Sequence, residues 1–318
     1  MEILNAEWCQ DNITKRQTRG YKSKCPSCDG NDLWVTEDTG SAFCFECGVT
    51  YRLSNAETLL RAEDDGSVFD IDTIRLMYHT VNNYYRDALS ERHRQYLYNR
   101  GIDNTAIDIF QFGYCPEGSL PLYRDDVAYE SGLASRTGEP RLANRITIPY
   151  MADNAITDMR GRGDDPKYKS LLHKAYKRGA IFPFNYDRAI EKSKETGTII
   201  ITEGEIKAVL ADLHGFAAVA LPGMQSWRKG FMSPDKETRI IAVFDSSRDP
   251  KDNMRVSKVL YKLSKKIQNM YVGVLPLLGE DKQDIDSFLL HQKGGYDRFK
   301  RIIDGSVLYD RYVELTRV

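Results

Sequence analysis

The sequence predicts a multi-domain α+β protein: a small β domain, a larger mixed α/β domain and a C-terminal helical tail. Three observations support this prediction. The chain has 318 residues, more than one typical domain requires. Four of its six cysteines form two close pairs within the first fifty residues. From Gly197 onward, apolar runs alternate with amphipathic helical patterns, which is typical of a mostly parallel sheet covered by helices.

The composition favours a folded protein without a membrane span. Hydrophobic residues make up 41% of the chain and charged residues 29%, which allows a buried core and argues against global disorder. The sequence contains no apolar run of about 18 residues and no secretory h-region near its start, so we expect a cytoplasmic protein. The net charge of −1 excludes a uniformly basic coat for nucleic acid, although a local basic patch is sufficient to bind phosphates.

The first domain, residues 1–55, contains a predicted metal site. Cys25 and Cys28 form one Cys-x-x-Cys pair, and Cys44 and Cys47 form the other. In a reducing compartment such pairs favour metal binding over disulfides. Four thiolates complete the tetrahedral shell of Zn²⁺, so the spacing predicts a structural zinc ribbon without an open coordination position.

The aromatic residues of this ribbon have two interpretations. Trp34, Phe43, Phe45 and Tyr51 are expected to form its small hydrophobic core. Alternatively, one of them stacks on a nucleic-acid base. A ribbon alone does not define a function, because it can bind nucleic acid, hold a protein partner or only support the fold.

The middle of the chain predicts a linker followed by a helical subdomain with one hairpin. Residues 56–77 are polar and acidic and predict a short helix and a linker. The helical pattern begins at about Asp72, ends at Gly101, and resumes after Asp103 as an N-cap. Within the subdomain 78–196, the segments RITIPYM and AITDMR predict a β-hairpin that turns at DN.

The last two segments predict the parallel sheet and the helical tail. In residues 197–290 the predicted strands are TIIIT, AAVAL, RIIAVF and MYVGVL, and the predicted helices are EIKAVLADLH and NMRVSKVLYKLSKKI. Residues 291–318 have a helical pattern.

Carboxylates follow three of these strands. Glu203 follows TIIIT, Asp245 follows RIIAVF, and the loop after MYVGVL contains Asp281, Asp284 and Asp286. Because the carboxyl ends of parallel strands face one crevice, we expect these loops to converge. The acids have no obvious cationic partner in the sequence, which favours a Mg²⁺ site that binds phosphates. The alternative is that they are ordinary loop residues.

A basic stretch precedes the predicted sheet. It predicts either a path for phosphates or a solvated face. Its members are Arg141, Arg145, Arg160, Arg162, Lys167, Lys169, Lys174, Lys177 and Arg178.

Three runs that contain the acids resemble the Toprim domain: IITEGE, FD and KQDID. That domain is shared by bacterial-type primases, topoisomerases, some nucleases and a recombination mediator. The upstream segments YLYNRGI, FQFGY and NRITIP are similar to the RNA polymerase domain of the primases. With the zinc ribbon and its FCF knuckle, the chain up to about residue 290 resembles bacterial DNA primases and the primase part of bacteriophage primase–helicases.

The resemblance implies a DNA-directed RNA polymerase, a nucleotidyltransferase that makes short RNA primers on a single-stranded DNA template from ribonucleoside triphosphates. It also implies roles for individual residues. Catalytic Mg²⁺ or Mn²⁺ is expected on Glu203, Asp245, and Asp284 or Asp286. The residues expected to contact nucleic acid or nucleotide are Arg145, Arg162, Lys167, Lys174 and Lys207.

Two positions depart from the pattern of the family. Lys207 stands where the family has an acid, and Ser247 replaces the second acid of an Asp-x-Asp motif. Asp249 or Asp252 is a candidate replacement for the missing acid. Lys207 either pairs with Glu203 one helical turn before it, occupies a vacated metal position, or contacts the triphosphate. The departures predict a weak or Mn²⁺-preferring metal site.

Other functional classes are less consistent with this order of segments. In the recombination mediator the zinc site directly precedes the Toprim domain, whereas here about 150 residues lie between Cys47 and Gly197. The main alternative is a catalytically weak or inactive relative that binds single-stranded DNA or a replisome partner. The sequence has no G-x-x-x-x-G-K-[ST] phosphate loop, so we expect the replicative helicase to be a separate partner.

Overall fold

The computed structural model describes residues 2–17, 20–36, 41–54, 71–118, 120, 125–135, 137–152, 154–163, 182–221, 238–291 and 293–316. The chain divides into two compact units between Asp70 and Ile71. The first unit contains the described residues up to Ser54, and the second contains those from Ile71 onward. Most of the predicted linker 56–77 lies outside the described residues. Its last part belongs to the first helix of the second unit, and the other domain boundaries stay predictions.

The first unit is built on one six-stranded sheet. Its elements are β1 (Glu2–Asn5), α1 (Ala6–Asp11), β2 (Ile13–Gln17), β3 (Gly20–Ser23), β4 (Leu33–Thr36), β5 (Ser41–Cys44) and β6 (Thr50–Ser54). The strand order is β1-β6-β5-β4-β3-β2. The pairs are antiparallel, except that β1 runs parallel to β6.

Alternation along these strands separates the aromatic residues onto two faces. Tyr51 is buried together with Tyr21 and Val35, as predicted. Trp34 and Phe43 are partly exposed cross-strand partners on the opposite face, and Phe45 is 47% exposed. The expectation that all four aromatics form the ribbon core is therefore wrong for these three. Side chains along a strand alternate between the two faces of the sheet. Trp34 therefore lies on the face opposite to its buried neighbours Leu33 and Val35.

The second unit begins with three helices where the sequence analysis predicted two. They are α2 (Ile71–Asp87), α3 (Glu91–Tyr98) and α4 (Asn104–Ile109). Gly101 lies in the turn after α3 and has a φ of +75°. A Cβ there would lie 2.4 Å from the Leu290 side chain. Asp103 caps α4 as predicted, because its carboxylate accepts a hydrogen bond of 2.8 Å from the Ala106 N–H.

A three-stranded sheet follows. Its strand β7 (Gly113–Cys115) precedes the short helix α5 (Asp125–Glu130). The predicted hairpin is confirmed as β8 (Arg145–Ala152) and β9 (Ala155–Arg162), which pair in antiparallel fashion, and β7 adds to the free edge of β8. The helix α6 (Tyr186–Thr196) leads to the next sheet. Residues 164–181 lie outside the described residues, and Lys167 and Lys174 are among them.

The predicted parallel sheet is confirmed. The elements up to its third parallel strand are β10 (Thr198–Glu203), α7 (Glu205–Leu213), β11 (Ala218–Leu221) and β12 (Arg239–Phe244). The remaining elements are β13 (Ser246–Ser247), α8 (Pro250–Ser264), β14 (Tyr271–Val274), β15 (Lys282–Gln283), α9 (Ile285–His291), α10 (Gly295–Asp304), β16 (Val307–Leu308) and α11 (Tyr309–Thr316).

In this sheet the strand order is β11-β10-β12-β14-β16. The first four strands are parallel, and β16 runs antiparallel to β14 at the edge. The C-terminal tail is helical as predicted, apart from the two-residue edge strand, whose length is too short to leave a pattern in the sequence. No helix in the described ranges has the length and apolar character needed to cross a membrane.

The second unit has a hydrophobic core that both sheets share. Ile200 and Val243 from the parallel sheet, Leu210 from α7 and Phe288 from α9 are buried in it. These strands read as continuous apolar runs because a parallel sheet is covered on both faces. Tyr150 of the hairpin belongs to the same cluster.

A buried polar contact connects the hairpin to the helix that follows Glu203. The Tyr150 hydroxyl donates a hydrogen bond of 2.5 Å to the Glu205 carboxylate, and the Tyr150 side chain is fully buried. The Arg160 guanidinium lies 5.0 Å from the centre of the Tyr150 ring and 3.4 Å from the Asp158 carboxylate. Burial and the Glu205 charge raise the pKa of Tyr150 well above its usual range, so the hydroxyl stays protonated as a donor.

The contact between Tyr150 and Glu205 predicts a stability difference between two Tyr→Phe variants. Tyr150→Phe should lower the free energy of unfolding by about 1–3 kcal/mol, because the Glu205 carboxylate loses its buried donor. Tyr114→Phe is the matched control, since the Tyr114 hydroxyl donates to Asn144 in an exposed setting. That variant should change stability by less than about 0.5 kcal/mol. Urea unfolding followed by circular dichroism measures both, and equal losses would contradict the role of the Tyr150 contact.

Candidate active site and metal centre

The four paired cysteines form a tetrahedral metal site. Their sulfur atoms all lie within 4.8 Å of one another. The Cys25 and Cys47 sulfurs are 3.6 Å apart, and the Cys28 and Cys44 sulfurs are 3.7 Å apart. A regular tetrahedron with Zn–S bonds of about 2.3 Å has S···S edges of about 3.8 Å. The arrangement therefore fits one zinc ion with a complete shell of protein ligands.

Backbone turns position these sulfurs. In the first knuckle the Asp29 N–H donates to the Cys25 carbonyl (2.8 Å), and in the second the Gly48 N–H donates to the Cys44 carbonyl (2.9 Å). Gly48 has a φ of +76°, a conformation that glycine adopts without strain. A Cβ at Gly30 would lie 2.0 Å from a carboxylate oxygen of Glu46 and 3.2 Å from the Cys28 sulfur, so a larger residue there would displace the Glu46 side chain and crowd a metal ligand.

The two remaining cysteines, Cys9 and Cys115, are buried and lie outside this cluster. Burial raises the pKa of each thiol to about 11. Both are therefore protonated at neutral pH and poorly reactive, which is typical of structural cysteines.

The acidic residues lie at the carboxyl ends of the parallel strands. Glu203 is the last residue of β10, and Asp245 directly follows β12. The third acidic segment is tied to the second by the pairing of β13 with β15, in which Ser247 lies opposite Lys282. We call the edge formed by Glu203, Asp245 and residues 281–286 the acidic edge.

Asp245 lies between two lysines. The Lys207 ammonium is 2.5 Å from its Oδ1 atom, and the Lys282 ammonium is 3.6 Å from its Oδ2 atom. The Asp245 side chain is 11% exposed and that of Lys207 14%, so their ion pair is largely shielded from solvent. Of the alternatives for Lys207, pairing with Glu203 is wrong, because its ion pair is with the acid after the neighbouring strand.

Two arginines neutralise the other acids. The Arg255 guanidinium on α8 lies 3.7 Å from Glu203. Arg100, in the turn after α3, forms an ion pair with Asp286, whose side chain is 6% exposed. Glu203, Asp245 and Asp286 therefore do have cationic partners, contrary to the expectation from the sequence. The position of Arg100 in the primase-like segment YLYNRGI is a signal in the sequence that it belongs to the site. Nothing in the sequence around Arg255 points to Glu203.

Asp284 and Asp286 respond in opposite ways to their surroundings. Burial acts to raise the pKa of Asp284, but hydrogen bonds with Asp286 and Ser287 lower it to about 2. Burial and the Asp284 carboxylate raise the pKa of Asp286, against the attraction of Arg100 and Lys207. The Asp284 carboxylate also caps α9 by accepting a hydrogen bond of 2.9 Å from the Ser287 N–H.

Asp249, one of the two candidate replacements for the missing acid, caps a helix. Its carboxylate accepts a hydrogen bond of 2.8 Å from the Lys251 N–H at the start of α8, and Pro250 follows it in the first turn. The Ser247 hydroxyl accepts a hydrogen bond of 3.0 Å from the Asp249 N–H. Binding of a metal by Asp249 stays a prediction.

The contacts of Glu203 and Asp245 limit where a divalent cation can bind at the acidic edge. Glu203 Oε2 is buried and has no hydrogen-bond partner, which suits a ligand oxygen. Asp245 already has an ammonium group beside each oxygen. In the described part of the chain, the four cysteines are the only set of three or more candidate ligand residues whose ligand atoms lie within 4.8 Å of one another. Glu203 therefore offers one ligand oxygen to an ion, whereas an ion at Asp245 would meet the Lys207 ammonium.

Only some of the basic residues predicted to contact nucleic acid lie within the described residues. Arg145 begins β8 and Arg162 ends β9, so both lie at the same end of the hairpin. Arg162 is exposed, and its Nε–H donates a hydrogen bond of 2.6 Å to the Tyr96 hydroxyl. The predicted roles of Lys167 and Lys174 fall outside the described residues.

The outer face of the zinc-ribbon sheet combines lysines and aromatics. Lys15 pairs with Lys22 between β2 and β3, and Lys22 in turn lies opposite Trp34. Trp34 lies opposite Phe43, and Phe45 packs edge-on against Phe43 with ring centres 5.0 Å apart. Lys22 also forms an ion pair with Asp32, which offsets its charge. Partly exposed rings suit the stacking of bases, and the exposed Lys15 suits the neutralisation of a phosphate.

Comparisons with known proteins give a consistent picture of the fold. No family model matches the chain. A DNA primase of Thermotoga maritima is 28% identical over 195 residues, which cover 55% of this chain and 34% of that protein. The chain therefore spans about a third of the length of this curated relative.

Solved structures match a larger share of the chain. The zinc-binding and RNA polymerase domains of the Aquifex aeolicus primase superpose with a TM-score of 0.60 at 21% identity, covering 96% of this chain and 83% of that one. The RNA polymerase domain of the Mycobacterium tuberculosis primase DnaG gives a TM-score of 0.60 at 19% identity, covering 76% and 86%. A DnaG catalytic domain bound to single-stranded DNA gives 0.56 at 18% identity, covering 74% and 80%. The resemblance to bacterial-type primases is confirmed, and the chain has the fold of their zinc-binding and RNA polymerase domains.

The cysteine geometry predicts about one zinc ion per chain in the purified protein. Cys44→Ser should release the zinc and unfold the ribbon, because three thiolates leave the shell incomplete. Cys115→Ser is the matched control and should keep the zinc, since Cys115 lies outside the cluster. Metal analysis by mass spectrometry measures both. A zinc-free parent protein, or equal zinc content in the two variants, would contradict the assignment.

Proposed function

We propose that this chain is a DNA primase, a DNA-directed RNA polymerase that synthesises short RNA primers on single-stranded DNA by metal-dependent nucleotidyl transfer. One observation carries the proposal. The acidic edge, with Glu203, Asp245 and Asp284, lies at the carboxyl ends of parallel strands in a chain with the fold of primase zinc-binding and RNA polymerase domains. The likeness of IITEGE, FD and KQDID to the Toprim domain supports the same conclusion, because these runs fall at the strand ends and in the loops of this edge.

The proposed reaction is attack of a ribonucleotide 3′-hydroxyl on the α-phosphate of the next ribonucleoside triphosphate. The 3′-oxygen forms the new P–O bond and its proton passes to solvent, while the P–O bond to the β-phosphate breaks and pyrophosphate leaves with that electron pair. A Mg²⁺ or Mn²⁺ ion, when bound, would neutralise phosphate charge and lower the cost of in-line attack. Glu203 would hold it through its unpaired Oε2 oxygen, and Asp284 is the second candidate ligand, because the resemblance to the Toprim domain implies that role and the Ser287 N–H holds its carboxylate at the start of α9.

The remaining residues of the site contribute position and charge. Arg255 and Lys282 lie beside the acids with their side chains about half exposed, so both can reach incoming phosphates. Arg100 holds Asp286 and thereby fixes the start of α9, where Asp284 sits. Such a site acts by orienting the reactants and stabilising charge as it develops on the phosphorus oxygens.

Two surfaces would hold the template strand. Arg145 and Arg162 lie at one end of the hairpin; Arg162 is exposed, whereas Arg145 is partly buried and donates a hydrogen bond of 3.1 Å to the Ala143 carbonyl. Arginines at a surface neutralise phosphates without reading sequence. On the zinc ribbon, the outer face with Trp34 and Phe43 would stack bases. The DnaG catalytic domain named above was solved with single-stranded DNA, which supports this class of partner. A separate helicase, and a place in the cytoplasm of a bacterial or phage-infected cell, are further expectations of the proposal.

The second candidate function is a catalytically weak or inactive protein that binds single-stranded DNA. The specific observation in its favour is the neutralised acidic edge, where Lys207 and Lys282 flank Asp245 and where Ser247 supplies no charge. The two candidates differ in one measurable property, because only the first joins ribonucleotides.

A primer-synthesis assay tests the proposal. The full chain, with its zinc, should join labelled ribonucleotides on single-stranded DNA when Mg²⁺ or Mn²⁺ is present. Glu203→Gln is nearly isosteric and should lower synthesis at least about a hundredfold, because an anionic ligand is lost. Asp297→Asn on the exposed face of α10 removes the same charge elsewhere and should leave synthesis unchanged.

Fluorescence anisotropy with a labelled oligonucleotide separates the two candidate functions. The parent and Glu203→Gln should bind single-stranded DNA alike, since Glu203 is not part of the proposed template surfaces. A parent protein that binds DNA but makes no primer with either metal would favour the inactive binder. Near-normal synthesis by Glu203→Gln would exclude the proposed role of this carboxylate.

A further inference from the structure

We infer that the Lys207 ammonium occupies the place of one divalent cation within the acidic edge, so that the site takes one tightly bound divalent ion instead of two. The inference concerns the same site as the proposed function and rests on it. What it adds is a role for a residue that departs from the family pattern, together with the number of metal ions that the site requires.

The position of Lys207 follows from the turn between β10 and α7. Glu203 ends the strand, Gly204 turns the chain with a φ of +93°, and α7 begins at Glu205. Lys207 is therefore in the first turn of a helix that starts at the acidic edge. An ammonium there lies near the positive end of the helix dipole, which is an unfavourable place for a cation unless anions surround it.

An anion does face the Lys207 ammonium. It lies 2.5 Å from Oδ1 of Asp245, in the segment that follows β12. Lys282, in the segment that follows β14, lies 3.6 Å from the other oxygen of the same carboxylate. Because β13 pairs with β15 and holds these two segments together, the Lys207 ammonium lies beside the junction of the acidic segments after β12 and β14.

The exposure of the pair distinguishes this arrangement from an ordinary surface ion pair. Lys207 is 14% exposed and Asp245 is 11% exposed. Exposed pairs contribute little because water and salt screen them. A shielded pair is held in place, since moving either charge away would leave the other desolvated and unpaired. The ammonium is thus a built-in part of the acidic edge.

The positive charges beside Asp245 also disfavour the binding of a second divalent ion. Lys207 lies beside Oδ1 of Asp245, and Lys282 lies beside Oδ2. A divalent ion on Asp245 would lie within a few ångströms of the Lys207 ammonium, and repulsion at such distances is strong in a partly buried site. Lys207 is 14% exposed, whereas Lys282 and Arg255 are about half exposed and can turn toward solvent. Ser247 is largely buried and offers no negative charge to offset the repulsion. Glu203 Oε2 remains as an unpaired buried oxygen for a single ion.

Titration of the zinc-loaded full chain with Mn²⁺, followed by electron paramagnetic resonance of the free ion, tests the inference. The parent should bind one Mn²⁺ tightly. Lys207→Asp should bind one more Mn²⁺ than the parent, with affinity for the added ion at least about tenfold tighter than any second ion on the parent, because the local charge changes by two units. Lys293→Asp makes the same charge change at an exposed turn and should bind like the parent.

A second variant protects the test against misfolding. Lys207→Met keeps the length and apolar stem of the side chain but removes the charge. It should bind the second Mn²⁺ with an affinity between those of the parent and Lys207→Asp. Circular dichroism and thermal melting check that each variant is folded, and Lys207→Met decides the outcome if Lys207→Asp is not.

The inference is overturned if the folded Lys207 variants bind no more Mn²⁺, and no more tightly, than Lys293→Asp. It is also overturned if the parent already binds two Mn²⁺ ions tightly. Neither readout requires primer synthesis. A gain of one ion in Lys207→Asp with no synthesis by any form would support the inference and contradict the proposed function, whereas synthesis by a parent with two tight ions would do the reverse.

Discussion

Repulsion among carboxylates is the constraint that the active-site half of the molecule must satisfy. Parallel strands β10, β12 and β14 end on the same side of the sheet, so the acids that follow them are brought to one edge. Negative charges that are brought to one edge repel one another and destabilise the fold unless cations or bound metal offset them. In this chain, cationic side chains supply part of that offset. They come from elements before the sheet, inside it and after β14: Arg100, Lys207, Arg255 and Lys282.

This compensation also contributes to the architecture. Arg100 follows α3, yet its partner Asp286 lies in the first turn of α9, almost two hundred residues later in the chain. The Tyr150–Glu205 hydrogen bond connects the hairpin to α7 in a similar way. The helical segment, the hairpin and the parallel sheet therefore share polar contacts in addition to one hydrophobic core. Removing an acid from the edge would consequently affect packing as well as metal binding.

Much of the fold could be predicted because its signals are local. The apolar runs of the parallel sheet, the hairpin turn and the paired cysteines each follow from a few neighbouring residues. The sequence also contains the signal for the Asp249 cap, since Asp followed by Pro is typical of a helix start. The interpretation of Asp249 as a metal ligand did not take this signal into account. The faces of Trp34 and Phe43 were readable from alternation along the strand.

Side-chain partners across strands could not be predicted in the same way. Lys207 is four residues from Glu203, and spacing favours that pair, but its ion pair is with Asp245 across the sheet edge. That choice depends on the register of β10 with β12, which is set by packing of the whole core. The ion pairs of Arg255 with Glu203 and of Lys282 with Asp245 depend on the same three-dimensional arrangement. The number of metal ions was therefore open in the sequence, even though the acids were recognised.

The most direct measurement of the central claim is anomalous diffraction from crystals grown with Mn²⁺ and a non-hydrolysable ribonucleoside triphosphate. The account predicts one manganese peak in the acidic edge, beside Glu203, with the Lys207 ammonium still in contact with Asp245. Two manganese peaks about 4 Å apart, as in two-metal sites, with Lys207 displaced from Asp245, would contradict it.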